Sequence, residues 1–345
     1  MLDQLLLASM LQSPAAGATP TPDMGKELAR CAAIETMAER LQCYDALAGR
    51  PLLPIAAVAA TARERAPAAT AAEGGESCPP LPDLLVPTER WEFMAKRPIF
   101  KLTPYRPNYI LPVSCNDSQN GESWAQQEPD GSIDDVEVKF QLSAQVKVWD
   151  DLYQGNGDLW LAYSQLSFWQ MYNGDSSAPF RETNYEPEAY ISWTTDYPIL
   201  GLTNRIVRLG FTHQSNGRSG ALSRSWNRVY AVFGLEKGNF ALHLKPWYRF
   251  AEGSSEDDNP DIADYLGYGE LDLYYKWGSH LFHVLWRNNL DLNGNRGAIQ
   301  LDWAFPLYQG FKGYVQYFNG YGESLLDYDD AANRISLGVM LVDWL

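Results

Sequence analysis

The densest run of polar side chains lies at residues 212–219 (THQSNGRS), and a second run follows at residues 223–228 (SRSWNR). Residues two apart on an extended strand share a face, so His213 and Ser215 point the same way. A hydroxyl, an imidazole and an amide are the nucleophile, base and orienting group of triad hydrolases. Ser215 would attack a carbonyl carbon, His213 would accept its proton, and Asn227 would fix the imidazole tautomer. The spacing therefore predicts a hydrolytic acyl-transfer site.

These three polar residues lie on the apolar faces of their predicted strands. His213 and Ser215 share a face with Val207, Leu209 and Phe211, and Asn227 shares a face with the apolar positions from 229 to 235. Polar groups facing lipid cost free energy, which mutual hydrogen bonds can offset. The alternative is that the three residues only cap strand ends in the headgroup zone, where polar groups cost little.

Alternating apolar and polar residues recur from about residue 98 to the C-terminus, as at 205–211, 270–276, 299–305 and 335–341. The segments are about 10–13 residues long, whereas strands of soluble proteins average 5–6 residues. Strands that cross a bilayer need about 9–11 residues. Short turns near residues 238 and 278 alternate with long polar links at 252–264 and 322–332. This layout predicts an all-β, antiparallel transmembrane barrel of about twelve strands.

The amino-acid composition excludes some classes of protein and favours others. The 345 residues carry 27 Lys and Arg against 43 Asp and Glu, a net charge of −16, which argues against a nucleic-acid binder. The chain lacks an apolar run of about 18 residues, which excludes a helical membrane protein. Its 12 Trp and 20 Tyr suit a carbohydrate-binding β-protein or a barrel with aromatic girdles. The predicted girdle residues are Trp160, Phe168, Trp169, Trp247, Trp277, Trp286 and Trp303.

The predicted organisation has four parts: a signal peptide with an atypical start at 1–18, a helical element at 19–50, a low-complexity linker at 51–90 and the barrel at 91–345. Ala16-Gly17-Ala18 has the pattern of a cleavage site. Cys31 and Cys43 can bridge only if the helical segment folds back on itself. We predict the pairings Cys31–Cys43 and Cys78–Cys115.

Charged residues predicted on the lumen face can pair and plug the barrel, and His243 joins them there. His280 and His283 flank a tight turn and are predicted to be surface residues. The predicted interior charges are Arg208, Arg228, Lys245, Arg249, Glu270 and Asp272.

Residues 211–228 resemble the active-site signature of the outer membrane phospholipase A family. Further matching stretches are 179–187 (PFRETNYEP), 245–248 (KPWY), 257–261 (DDNPD) and 320–325 (GYGESL). The resemblance covers about residues 98–345 and not residues 1–90. It implies a twelve-stranded barrel in the bacterial outer membrane, here with a small N-terminal helical extension.

The family hydrolyses acyl esters of phospholipids and lysophospholipids, requires Ca²⁺ and acts as a homodimer, with its active site toward the outer leaflet. The resemblance implies that Ser215 is the nucleophile, His213 the base and Asn227 the orienting residue. It also implies that the Gly217 backbone amide stabilises the oxyanion. Gln165 matches a polar residue of the dimer interface.

The resemblance assigns the calcium ligands of the dimer to the Arg218 carbonyl, Ser223, and Ser177 from the partner subunit. Asp258 matches a calcium ligand of the monomeric form. The chain departs from the family at Gly220, where an Asp is usual, which alters the charge of the calcium site. Two other readings stay open: an inactive outer-membrane barrel, either a pore or a structural protein, and a soluble lectin-like β-protein.

Overall fold

The structure is a computed structural model that describes residues 26, 30–34, 37–47, 98–253, 257–307 and 311–342. The chain divides into two compact units, Met1–Cys78 and Pro79–Leu345. The predicted signal peptide and most of the predicted linker lie outside the described residues. None of the described helices is both long and apolar enough to cross a membrane.

Helix α1 (Met37–Leu47) is the main described element of the first unit. The chain turns at residues 33–34, before α1 begins. This reversal brings the Cα atoms of Cys31 and Cys43 within 5.5 Å, and the predicted disulfide between them is formed. Cys115 is a free thiol, so the predicted bond between Cys78 and Cys115 is wrong. Cys78 itself lies outside the described residues.

The described part of the second unit is one antiparallel sheet with two short α-helices, α2 (Gly121–Gln127) and α3 (Ile262–Leu266). The strands among the described residues are β1 (Leu102–Pro104), β2 (Asn108–Asn116), β3 (Val136–Trp149), β4 (Asp158–Trp169), β5 (Phe180–Ile199), β6 (Leu202–Ser215), β7 (Ser225–Lys237), β8 (Phe240–Phe250), β9 (Gly269–Trp277), β10 (His280–Asn288), β11 (Gly297–Pro306), β12 (Lys312–Tyr321) and β13 (Ala331–Val342).

The sheet closes because β13 pairs with β2, and each strand from β2 onward pairs with the next. The predicted twelve-stranded barrel is confirmed, and β2 to β13 are its twelve strands. The short strand β1 pairs with β3 next to the residues of β3 that pair with β2. β1 and β2 therefore occupy one position in the barrel as a single interrupted strand.

Side chains alternate between an apolar outer face and a polar interior. On β4, Leu161 and Tyr163 point outward and are 46% and 43% exposed, while Trp160 and Ser164 are buried inside. The interior holds many buried charges, whereas a water-soluble sandwich would bury its apolar face. This inverted distribution is typical of a barrel surrounded by hydrocarbon and argues against the soluble lectin-like reading.

Ion pairs join charged side chains inside the lumen. Among the predicted interior charges, Arg228 pairs with Glu186 at 3.0 Å and Lys245 pairs with Glu270 at 3.1 Å. Arg249 pairs with Asp257 at 2.6 Å, and the Arg208 guanidinium lies over the Tyr190 ring. A cavity of about 260 Å³ remains among these side chains, and it is lined by His243, which was predicted on the lumen face.

Four residues were placed wrongly from the sequence because the face of their strand was assigned incorrectly. His283 is only 2% exposed: β10 begins at His280, so His283 falls on an inward position between Asp272 and Asp302. Among the predicted girdle aromatics, Trp160, Phe168 and Trp247 are buried in the interior. Trp277, Trp286 and Trp303 are exposed, as predicted.

The two ends of the barrel differ in the length of their links. Two-residue turns join β5 to β6, β7 to β8 and β9 to β10 at one end. The opposite end carries the long links at residues 170–179, 216–224, 251–268, 289–296 and 322–330. The predicted site residues lie at this second end, except Gln165, which lies within β4.

Candidate active site

Strands β6 and β7 bring the predicted base and orienting residue together. His213 is the register partner of Asn227, and both lie on the outer face. His213 Nδ1 lies 2.9 Å from Asn227 Oδ1. The amide oxygen can only accept a hydrogen bond, so this contact places the proton of a neutral imidazole on Nδ1. Nε2 is then left unprotonated, which is the state that a general base requires.

Ser215 is the last residue of β6 and shares the outer face with His213. It pairs in register with Tyr185 on β5 and Ser225 on β7. Within the described residues, no hydrogen bond joins the Ser215 hydroxyl to His213. Hydrogen bonds between catalytic groups are often long without substrate and tighten when it binds. The strand geometry nevertheless places the predicted nucleophile and base on one face.

Asn227 has a second partner that sequence reasoning missed. Its Nδ2 donates to Glu252 Oε1 at 2.9 Å. Glu252 follows the end of β8, where Phe250 is the register partner of Asn227. The only signal for this contact is the register between β7 and β8, and the sequence does not reveal that register.

Asn216 organises the link between β6 and β7, another role that the sequence did not reveal. The side chain is buried, its Nδ2 donates to the Leu222 carbonyl, and its Oδ1 accepts from the Arg224 and Arg218 amides. These bonds fold the link into a compact loop directly after Ser215.

Gly217 lies in this loop with a φ of +66°. A Cβ atom there would lie 3.0 Å from the Tyr185 ring, so both the backbone and the neighbouring ring favour glycine. Within the described residues, the Gly217 N–H donates no hydrogen bond. It therefore remains available as a donor two residues after Ser215.

The structure joins two of the predicted calcium ligands. Ser223 Oγ donates to Asp258 Oδ2 at 2.5 Å on the protein surface. A hydroxyl, a carboxylate and the nearby backbone carbonyls are oxygen ligands of the kind that Ca²⁺ prefers. The described residues hold no group of three or more His, Cys, Asp and Glu side chains that could bind a metal. A calcium site here would depend on hydroxyl and carbonyl oxygens as much as on charge.

The other predicted calcium ligands occupy different surroundings. The Arg218 side chain is anchored on β5, where its Nη2 donates to the Arg181 carbonyl at 2.6 Å. Ser177 is exposed in the link between β4 and β5 and, within the described residues, contacts no other predicted ligand. Gly220 begins a 3₁₀ turn with a φ of +66° and has open space where a side chain would be.

Gln165 lies on the outward face of β4. It accepts from the Tyr163 hydroxyl at 3.3 Å and donates to Ser167 Oγ at 3.1 Å. Thr183 also donates to Ser167 Oγ. These hydrogen-bonded side chains form a polar cluster on the outward side of β4 and β5, in which Ser167 is fully buried.

The model of the family "Phospholipase A1" matches residues 88–341. The chain belongs to the phospholipase A1 family. It is therefore an ester hydrolase, as predicted, and family members act on phospholipids at the outer membrane. The Escherichia coli (strain K12) phospholipase A1 is 39% identical over 244 residues, which are 71% of this chain and 82% of the relative. A protein of Neisseria meningitidis serogroup B is 34% identical and aligns with 92% of each chain.

Solved structures of the phospholipase A1 family share the fold. Outer membrane phospholipase A from Escherichia coli has a TM-score of 0.67 at 39% identity and covers 71% of this chain and all of its own. The Salmonella typhi outer membrane phospholipase dimer with bound calcium has a TM-score of 0.70 at 36% identity, covering 75% and 99%. An Escherichia coli enzyme with an asparagine-to-alanine active-site mutation has a TM-score of 0.69 at 36% identity.

Proposed function

We propose that this phospholipase uses Ser215, His213 and Asn227 as a triad on the outer surface of the barrel. The substrates are phospholipids and lysophospholipids, cleaved at acyl esters of the A1 and A2 types, in the outer leaflet of the outer membrane. The observation that carries the proposal is the 2.9 Å contact between His213 Nδ1 and Asn227 Oδ1 on the lipid-facing surface. A related active site altered by an asparagine-to-alanine mutation also supports a role for Asn227.

Each residue has a defined role in the proposed reaction. Ser215 Oγ attacks the acyl carbonyl carbon while its proton moves to His213 Nε2. Asn227 Oδ1 accepts from Nδ1–H and so stabilises the imidazolium and its orientation. The Gly217 N–H donates to the oxyanion of the tetrahedral intermediate. The intermediate collapses, the departing alcohol takes the proton from His213, and His213 then activates the water that hydrolyses the acyl-enzyme.

Calcium and a second subunit complete the proposal. The Arg218 carbonyl, Ser223 and Ser177 of the partner subunit would hold the ion in a homodimer, and Asp258 would hold it in the monomer. When bound, calcium supplies positive charge that stabilises the developing oxyanion. A calcium-bound dimer of the Salmonella typhi relative and the oxygen-rich surroundings of Ser223 support this arrangement. Gln165 would lie in the dimer interface.

The decisive experiment measures fatty acid release from phospholipid in mixed micelles by the refolded protein, with calcium and with chelator. We expect calcium-dependent release that falls by about 10⁴-fold or more in Ser215→Ala. A heat-modifiable band on gels controls for a folded barrel in every sample. A folded barrel that releases no fatty acid with calcium would favour the inactive barrel, and Gly220 would be the first residue to restore to Asp.

A further inference from the structure

The orientation of the Asn227 amide decides whether His213 can act as a base. A primary amide presents an acceptor on one side and two donors on the other. Oδ1 must face His213 if Nδ1 is to keep its proton. The reversed amide would direct an N–H₂ group at Nδ1, which would stabilise the wrong tautomer with the proton on Nε2.

Glu252 distinguishes these two orientations. Its carboxylate can only accept hydrogen bonds, and it takes the Nδ2 side of Asn227 at 2.9 Å. A reversed amide would place Oδ1 against the carboxylate, which is repulsive. Hydrogen bonds to a charged acceptor are stronger than those between neutral groups. An Asp in place of Asn227 would have two equivalent acceptor oxygens, so its orientation would not need to be selected.

We propose that Glu252 is a positioning residue that holds the Asn227 amide with its oxygen toward His213. This inference rests on the proposed triad. It assigns Glu252 no contact with substrate and no proton transfer. The hydrogen-bonded chain then runs from Glu252 through Asn227 to His213, and it orients the base from beyond the triad.

The surroundings fit a dedicated contact. Phe250, two residues before Glu252, packs against Phe211 and Tyr248 with ring centroids 6.1 and 5.9 Å apart. These exposed rings flank His213 and Asn227 on the outer face. The nearby Arg249 guanidinium pairs with Asp257 instead. Glu252 thus extends the row of paired residues on β6, β7 and β8.

The first test compares Glu252→Ala and Glu252→Gln with a matched control, Glu122→Gln, on the exposed first turn of α2. The assay measures kcat and KM on a soluble monomeric ester with saturating calcium. We expect Glu252→Ala to lower kcat about 5- to 20-fold with little change in KM. Glu252→Gln keeps an acceptor oxygen but loses the charge, so its loss should be smaller. The control should behave as the unaltered protein does.

The second test measures the effect of Glu252→Gln on kcat in a protein that already carries Asn227→Asp, where we expect the direction of the effect to reverse. Asn227→Asp places two carboxylates side by side, and adding Glu252→Gln lets an amide donate to the new Asp. Glu252→Gln should therefore raise kcat in the Asn227→Asp background, although it lowers kcat in the native one. A merely structural role of Glu252 predicts the same direction in both backgrounds, and that result would overturn the proposal.

A readout without turnover separates this inference from the proposed function. The ¹⁵N shifts of the His213 ring report its tautomer in detergent micelles. The Nδ1–H form should predominate in the native protein and decline in Glu252→Ala. An unchanged tautomer would overturn the positioning role even if the enzyme is active. Conversely, an inactive native protein with the expected tautomer shift would contradict the proposed function and leave the role of Glu252 supported.

Discussion

At the scale of single residues, the backbone conformation of Gly217 bears on its proposed role as the oxyanion donor. Its φ of +66° and the Tyr185 ring leave no room for a Cβ without strain. Strain of this kind costs about 1–3 kcal/mol, and a displaced oxyanion donor costs about 10²–10³ in kcat. We therefore expect Gly217→Ala to lower kcat about 10²-fold in a micelle assay, with the heat-modifiable band retained.

A matched control for this change is Gly238→Ala in the turn between β7 and β8. Gly238 has a φ of +59° with open space around it, at the end of the barrel opposite the site. The variant should carry similar backbone strain and keep its kcat. Equal losses in the two variants would mean that activity follows general stability and not the Gly217 donor.

The sequence predicted those candidate site residues whose chemistry and spacing lie within one strand or one short motif. The alternation placed His213 and Ser215 on one face, and the face shared by Asn227 pointed to its pairing with them. Glu252 was missed because its contact depends on the register between β7 and β8. His283 was assigned wrongly because the start of β10 fixes its inward face.

At the scale of elements, the link between β12 and β13 concentrates acidic residues. Partial burial, followed by repulsion from Asp329, Asp327 and Glu122, raises the pKa of the Asp330 carboxyl above its ordinary value. A raised carboxyl pKa means that the folded state binds the proton more tightly, so ionised Asp330 destabilises the fold at neutral pH. This penalty disappears as the pH falls through the raised pKa.

We therefore expect Asp330→Asn to raise the melting midpoint at pH 8 and to have less effect at pH 4. The midpoint would be read from heat-modifiable mobility in the presence of chelator. Asp130→Asn, on the exposed link between α2 and β3, serves as the control and should change little at either pH. If Asp330→Asn raises the melting midpoint more at pH 4 than at pH 8, the raised pKa of Asp330 is contradicted.

Element boundaries show where sequence patterns stop being informative. The long alternating segments identified the strands of the barrel because period-2 patterning requires only local information. The break between β1 and β2 could not be predicted in this way. Arg106 lies in that break and pairs with Glu186 and Glu188 on β5, each at 2.7 Å, so distant partners determine the interruption.

At the scale of the whole molecule, the barrel separates its cavity from its candidate site. The cavity of about 260 Å³ lies in the charged lumen, whereas the proposed triad lies on the outer face among exposed aromatic rings. A lipid that diffuses within the leaflet reaches the outer face directly. Catalysis on a membrane substrate thus needs no enclosed pocket, and a second subunit could complete the walls of the site.

Gln165 provides the test of that dimer. Its amide lies on the outer face beside Leu142, its register neighbour on β3, which is 50% exposed. An amide facing hydrocarbon gains about 1–2 kcal/mol from a partner across an interface, equivalent to about 10-fold in affinity. We therefore expect Gln165→Leu to weaken calcium-induced dimerisation about 10-fold in sedimentation equilibrium, with activity falling in parallel at low protein concentration.

Leu142→Ala alters the same patch without removing the amide and serves as the control. It should weaken the dimer less than Gln165→Leu does, because a lipid-facing Leu exchanges one apolar contact for another. Gln165→Asn retains an amide on a shorter side chain, so it should weaken the dimer more than Leu142→Ala and less than Gln165→Leu. If Leu142→Ala is the more damaging change, packing rather than the buried amide holds the subunits together, and Gln165 loses its assigned role in linking assembly to activity.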